Sequence, residues 1–181
     1  DKLYSFLQKW FNRLVVMIPK AFALRHLSSL VSEFLRAWHF VKRAKVKGDY
    51  LEFGVFEGKS CDLSLRIAKK FYSNDDPERP RFFAFDSFEG LPEPVQEKDD
   101  SGVFQRGEAS AGRKTFERYI RKAAKDFEVH TVPGFYNESL TPDLRKKFNI
   151  KRAAFVNIDC NLYDSTLEAL RFVTPIVDDG T

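Results

Sequence analysis

Residues 48–60 of the 181-residue chain, GDYLEFGVFEGKS, contain the turn from which the fold can be predicted. An apolar run from Tyr50 to Val55 includes the first of two glycines four positions apart, Gly54 and Gly58, and a helical stretch follows. Glycine lets the backbone turn tightly, and the start of a helix presents free N–H groups to a ligand. The segment therefore predicts a strand, a ligand-binding turn and a helix.

The chain after residue 48 alternates short apolar runs with helical patterns. Strands are predicted at Tyr50–Val55, Phe82–Phe85, Phe127–Val132 and Ala153–Ile158, and helices at 59–72, 113–126 and 164–173. This alternation is typical of an α/β protein whose parallel strands are joined by right-handed crossovers. Two irregular stretches interrupt it, 73–80 and 91–112, and we expect the longer one to form a mobile lid.

Two amphipathic helices are predicted before this body. Apolar residues recur at spacings of three and four over residues 3–18 and again over 27–41. Residues 1–47 hold ten Lys or Arg and two acidic residues, so this segment carries +8 and the remainder −4. We therefore divide the chain into a helical arm, 1–47, and a cofactor-binding body, 48–181. A helix lying on a membrane has the same pattern, but we favour packing of the first helix on the body or on a partner in a homo-oligomer.

The composition excludes several classes of protein. Hydrophobic residues make up 43% of the chain and Phe alone supplies 19 positions, a composition that supports a sizeable core and argues against disorder. No apolar run approaches the length of about 18 residues that spans a bilayer. Cys61 and Cys160 are the two cysteines and have no CxxC spacing, which favours a reducing, cytoplasmic setting. We interpret the basic arm as a solvated helix face and expect no nucleic-acid partner.

Several ligands suit a glycine turn after a strand, and the spacing separates them. A P-loop ends in Gly-Lys-Ser, as residues 58–60 do, but its first glycine would stand at Phe53. The dinucleotide pattern G-x-G-x-x-G is absent, and a turn without any ligand stays open as an alternative. The wider glycine spacing, with Glu52 before it and Asp86 at the end of the next strand, favours S-adenosylmethionine. Asp86 would accept hydrogen bonds from the ribose hydroxyls.

Further motifs give the chain a family resemblance. They are DSFEGLP at 86–92, PGFYNESL at 133–140 and IDCNLYDST at 158–166, in addition to residues 48–60. With them the chain resembles the macrocin O-methyltransferase family from about residue 22 to its end. The resemblance implies a Rossmann-like class I methyltransferase with strand order 3-2-1-4. It also implies methyl transfer from S-adenosylmethionine to a hydroxyl of a small molecule, commonly a sugar of a natural product, with a divalent metal such as Mg²⁺.

The resemblance implies roles for individual residues as well. The methionine end of the cofactor would contact Glu52, Gly54, Gly58 and Ser60, and its ribose would contact Asp86 and Ser87. Asp159, at the end of the fourth strand, would bind the metal and help to remove the proton of the acceptor. Asn161 stands where the family often has a second Asp. The other metal ligands are expected on an Asp-Asp pair after a fifth strand, which this chain does not reach.

These departures leave a second interpretation open. We assign Asp178-Asp179 to a turn and not to the expected pair. The chain then resembles a fragment whose uncharged fourth strand is an edge that invites association with another chain. A module that binds the cofactor or a partner protein without transferring methyl groups is the alternative to an O-methyltransferase. We expect the three histidines to be structural: His26, His39 and His130.

Overall fold

The computed structural model of the protein describes residues 21–93 and 105–181. Four parallel strands form one sheet in the order β3-β2-β1-β4. They are β1 (Asp49–Phe53), β2 (Phe82–Asp86), β3 (Val129–Pro133) and β4 (Ala153–Ile158). The predicted α/β class and strand order are therefore confirmed. The first predicted helix and half of the predicted lid, residues 94–104, lie outside the described residues.

The observed strands differ from the predicted ones by one or two residues at their ends. β1 stops at Phe53 because Gly54 has a φ of 84°, which is outside the extended region. β2 continues to Asp86, which still pairs with Pro133 of β3. β4 has the predicted bounds and lies at one edge of the sheet, beside β1.

Six α-helices occur in the described residues. They are α1 (Ala21–Ala44), α2 (Lys59–Ala68), α3 (Arg113–Ile120), α4 (Tyr136–Ser139), α5 (Pro142–Phe148) and α6 (Tyr163–Val173). α1 and α6 correspond to predicted helices, whereas α2 and α3 are shorter than predicted. Within the described ranges, no helix combines the length and the apolar character needed to cross a membrane.

The two helices between β3 and β4 are missing from the sequence prediction. Local signals define α5: the Thr141 hydroxyl accepts a hydrogen bond from the Leu144 N–H at 3.2 Å, and Pro142 occupies the first turn. Asn149, with a φ of 51°, ends the helix in the left-handed conformation. A helix of seven residues is too short for an apolar period to stand out, so the capping residues were the available signal.

The sheet carries helices on both faces because side chains along each strand alternate between two apolar layers. Tyr50 and Phe82 join the layer beneath α1 and α2, where Trp38 of α1 is fully buried. The Trp38 ring centroid lies 5.7 Å from that of Tyr50 and 5.8 Å from that of Phe82. Phe53 and Phe85 stack 4.6 Å apart in the other layer, with α6. Both faces are thus closed, and the carboxyl edge of the sheet stays open.

Candidate active site

A cavity of about 700 Å³ lies at the carboxyl edge of the sheet. The chain runs from β1 to β2 and β3 on one side, whereas β4 lies on the other, and ligands bind at such a switch point in open α/β sheets. The wall includes residues that end or follow every strand: Gly54, Phe56, Asp86, Ser87, Gly134 and Asp159. Four predicted site residues therefore share this wall. Three others do not line it: Glu52, Gly58 and Ser60.

Gly54 follows β1 and lies against Asp159, the residue that follows β4. Its N–H donates to the Phe85 carbonyl at 3.0 Å, and the Asp159 N–H donates to the Phe53 carbonyl at 2.9 Å. A Cβ on residue 54 would overlap the carbonyl oxygen of Asp159, and the φ of 84° disfavours any side chain. The absence of a side chain at Gly54 therefore places Asp159 directly beside the turn after β1.

Gly58 closes the same turn, but the space left by its missing side chain is occupied by Phe116 and not by the cavity. Its N–H donates to the Val55 carbonyl at 2.7 Å, and its φ is 95°. A Cβ there would come within 2.8 Å of the Phe116 ring of α3. The second glycine of the motif thus allows α3 to pack against the start of α2.

Asp86 joins the turns that follow β1 and β2. One carboxylate oxygen accepts the N–H groups of Val55 and Phe56, each at 3.0 Å, and the other accepts the Phe88 N–H at 2.8 Å. A carboxylate has about four acceptor positions, so three are taken by the backbone. Asp86 is placed on the cavity wall, as a ribose ligand would be, but it also builds the wall.

Ser87 is engaged in a similar way. Its hydroxyl donates to the Gly90 carbonyl at 2.6 Å and accepts the Glu89 N–H at 3.1 Å. These bonds form a local turn. Gly90 must be a glycine here, because a Cβ would overlap the backbone of Gly107 on the far side of residues 91–106.

Glu52 is fully buried behind the turn. Its carboxyl group accepts hydrogen bonds from the Tyr50 hydroxyl at 2.7 Å, from the Asn157 amide at 3.3 Å and from the Ser60 hydroxyl. Burial raises the pKa of Glu52 to about 7, and the hydrogen bonds oppose that rise. Glu52 and Ser60 were both expected at the methionine end of the cofactor, and they bind each other instead of facing the cavity.

Asp159 is exposed on the cavity wall, and Cys160 lies next to it. Burial raises the pKa of the Cys160 thiol to about 11, so this side chain is a neutral thiol near pH 7. Asn161 also lines the cavity. Of the three consecutive wall residues 159–161, Asp159 is therefore the one that carries a carboxylate.

The described residues do not fit a metal site by themselves. Within 21–93 and 105–181, no cluster of three or more His, Cys, Asp or Glu side chains could hold a metal ion. Asp159 offers a single carboxylate, whereas divalent metals such as Mg²⁺ take several oxygen ligands. The metal implied by the resemblance therefore has no complete set of ligands in the described ranges.

Several wall residues were not predicted from the sequence. Phe56 lies between the two glycines of the turn and is 42% exposed. The Tyr136 hydroxyl donates to the Phe85 carbonyl at 2.9 Å and ties α4 to β2. Position between two glycines was the available signal for Phe56, and the motif at 133–140 was the signal for Tyr136. His39 and His130 contact aromatic rings, and neither lines the cavity.

The strand order and the position of the cavity are those of a Rossmann-like α/β fold, and solved class I methyltransferases share this fold. The O-methyltransferase NovP superposes with a TM-score of 0.68 at 24% identity, covering 81% of this chain and 60% of that chain. The calicheamicin methyltransferase CalS11 superposes with a TM-score of 0.71 at 20% identity, covering 97% of this chain and 74% of that chain. At these identities the likeness shows the fold.

The chain belongs to the macrocin-O-methyltransferase (TylF) family, which matches residues 27–181. The resemblance predicted from the motifs is therefore confirmed. The 8-demethyl-8-(2,3-dimethoxy-alpha-L-rhamnosyl)-tetracenomycin-C 4'-O-methyltransferase of Streptomyces olivaceus is 29% identical over 144 residues, which are 75% of this chain and 51% of that protein. The chain thus spans about half the length of this curated relative.

The close approach at Gly54 can be tested against a matched glycine. Gly54→Ala adds a methyl group that overlaps the Asp159 backbone at a left-handed φ, and we expect a loss of unfolding free energy on the order of 3 kcal/mol. Gly107→Ala has the same type of φ, 81°, but no atom within 4 Å, and should cost about 1 kcal/mol. Urea unfolding measures both. Equal losses would contradict the contact between the turn and Asp159.

The buried Glu52 carboxyl should make stability depend on pH. Its pKa is about 7 in the folded state and about 4.5 in its ordinary range, so the folded state binds the proton more tightly between these values. Stability should therefore fall by about 3 kcal/mol as the pH rises from about 4.5 to above 7, since one pKa unit is 1.36 kcal/mol. The shape-conserving Glu52→Gln variant should lack this part of the slope.

Urea unfolding of both proteins at about pH 5 and about pH 8 gives the difference, and other titrating groups cancel in the comparison. The pKa values of Asp76, Asp126 and Asp178 are lowered below 3.8 by ion pairs or hydrogen bonds, so these groups titrate outside the window. Parallel pH profiles for the two proteins would show that Glu52 titrates normally.

Proposed function

We propose that the protein is an S-adenosylmethionine-dependent O-methyltransferase that acts on a hydroxyl of a sugar or of another small natural product. The observation that carries the proposal is the shared wall of the cavity, which places the glycine turn, Asp86 and Asp159 at one edge of the sheet. Membership of the macrocin-O-methyltransferase family supports the same reaction. The tetracenomycin relative is a 4'-O-methyltransferase and CalS11 is a TDP-rhamnose 3'-O-methyltransferase, and both support a sugar acceptor.

The charge of the cavity suits a cationic methyl donor. Its described lining carries one guanidinium, that of Arg171, and five carboxylates. The carboxylates belong to Asp86, Glu93, Asp159, Asp164 and Glu168. Arg171 donates to Glu168 at 2.7 Å, so the guanidinium is already paired. A negative wall with few competing cations attracts a positively charged sulfonium. A nucleoside triphosphate would meet repulsion at the same wall.

We assign the ribose to the remaining acceptor position of Asp86 and to the wall beside Ser87. Gly54 would let the methionine part of the donor approach the backbone. The methionine end of the donor is also the proposed place of Glu52, Gly58 and Ser60. These residues would contribute by supporting the turn after β1 from its core side. Each of these assignments is a prediction for the protein with the methyl donor bound.

The rate of methyl transfer depends mainly on how the donor and the acceptor are positioned relative to each other. When bound, the donor supplies a methyl group on a positively charged sulfur, and the acceptor oxygen displaces that sulfur in line. A sugar hydroxyl is a weak acid, so a base near the attacking oxygen lowers the barrier. The exposed carboxylate of Asp159 would take the hydroxyl proton as the new C–O bond forms.

Calorimetry tests the donor site directly. We expect S-adenosylmethionine and S-adenosylhomocysteine to bind the chain, and ATP to show no measurable binding under the same conditions. The physical reason is the negative wall and the failed P-loop match at Phe53. Tight ATP binding, or no binding of either adenosyl compound, would contradict the proposed donor.

The role of Asp159 can be separated from donor binding. Asp159→Asn keeps the shape of the side chain and removes the base, so methyl transfer by the protein should fall roughly 100-fold or more. The affinity for S-adenosylhomocysteine should change less than about threefold, because Asp159 faces the acceptor. The Asp164→Asn variant, on the same wall, is the matched control. Full activity of Asp159→Asn would exclude Asp159 as the base.

A further inference from the structure

Phe56 combines three properties that the proposed roles above leave unexplained. It lines the cavity, its side chain is 42% exposed, and its backbone has a φ of 46°. A bulky residue with a left-handed φ is uncommon and costs free energy. Such strain persists where the surrounding structure imposes it, and it concentrates at functional sites.

Phe88 has the same type of backbone strain as Phe56, but its ring is buried. Phe88 also has a left-handed φ, 58°, but it is 8% exposed, and its ring packs 5.6 Å from that of Phe116. Burial of the Phe88 ring offsets its strain. The ring of Phe56 gains much less from burial, so packing within the chain does not account for its conformation.

Asp86 imposes the conformation of Phe56. The Phe56 N–H donates to a carboxylate oxygen of Asp86 at 3.0 Å, beside the bond from Val55 to the same oxygen. A backbone N–H bonded to a carboxylate is a strong interaction and fixes the turn. The result is an aromatic residue held on the cavity wall next to the Asp86 carboxylate.

We propose that Phe56 is a further donor-binding residue whose ring contacts the positively charged sulfur of the methyl donor. The inference rests on the proposed function and adds a residue to its site. The face of an aromatic ring attracts a cation, and the attraction grows when the cation is removed from water. The carboxylates of the wall act in the same direction, because they draw a cation into the cavity.

This role predicts discrimination between the two adenosyl compounds. S-adenosylmethionine carries a sulfonium, whereas S-adenosylhomocysteine carries a neutral thioether. A ring that acts on the charge strengthens binding of the first compound more than the second. A ring that acts only by shape or by holding the turn changes both affinities by the same factor.

The test measures both affinities by calorimetry for the wild-type chain and three variants. Phe56→Leu should weaken S-adenosylmethionine about fivefold to tenfold and S-adenosylhomocysteine less than about twofold. Phe56→Tyr, which keeps an aromatic face, should restore the wild-type ratio of affinities. Phe135→Leu makes the same chemical change elsewhere on the wall and should leave the ratio unchanged.

The outcomes separate this inference from the proposed function. If the wild-type chain binds both compounds and Phe56→Leu leaves their ratio unchanged, the role of Phe56 is overturned and the donor site stands. If Phe135→Leu shifts the ratio as much as Phe56→Leu, a specific role for Phe56 is also overturned. If the wild-type chain binds neither compound, the proposed function fails and the role of Phe56 fails with it.

Discussion

The cavity of this protein depends on the Asp86 carboxylate, which binds three backbone N–H groups from two different turns. One turn follows β1 and the other follows β2, and neither is held in place by regular secondary structure. Hydrogen bonds from backbone N–H groups to a charged acceptor are strong, and leaving these donors unpaired in a wall would be costly. The Asp86 side chain therefore joins the two turns to each other, and both turns contribute residues to the cavity wall.

The second constraint is the contact between β1 and β4 at the same edge. The Asp159 backbone lies against Gly54, so the carboxylate that we propose as the base is placed by the backbone pairing of two strands. Behind this contact, the buried Glu52 carboxyl group accepts hydrogen bonds from Tyr50, Ser60 and Asn157. The side of the turn that faces the cavity and the side that faces the core are thus held by different carboxyl groups. This division lets the wall stay open to a ligand while its support is fully packed.

The sequence predicted the strands from short apolar runs, and it predicted the family and the strand order from the resemblance that its motifs carry. It did not predict which side chains of the motif line the cavity and which are buried behind the turn. Glu52 lies within the first apolar run and Asp86 ends the second. Packing in three dimensions decides that Glu52 is buried beneath the turn and that Asp86 lies on the wall. Gly58 meets Phe116, a residue 58 positions later, which no local pattern can reveal. α5 was missed because capping residues define it while its apolar period is too short.

Amide chemical shifts during a titration with S-adenosylhomocysteine test the central claim most directly, which is that the turns joined by Asp86 form the donor site. The account predicts that the largest changes fall on the amides of Val55, Phe56 and Phe88, which bind the Asp86 carboxylate. The amides at the opposite edge of the sheet, such as that of Asp49 at the start of β1, should change little. Saturable shifts that cluster at the opposite edge, or the absence of shifts around Asp86, would contradict the account.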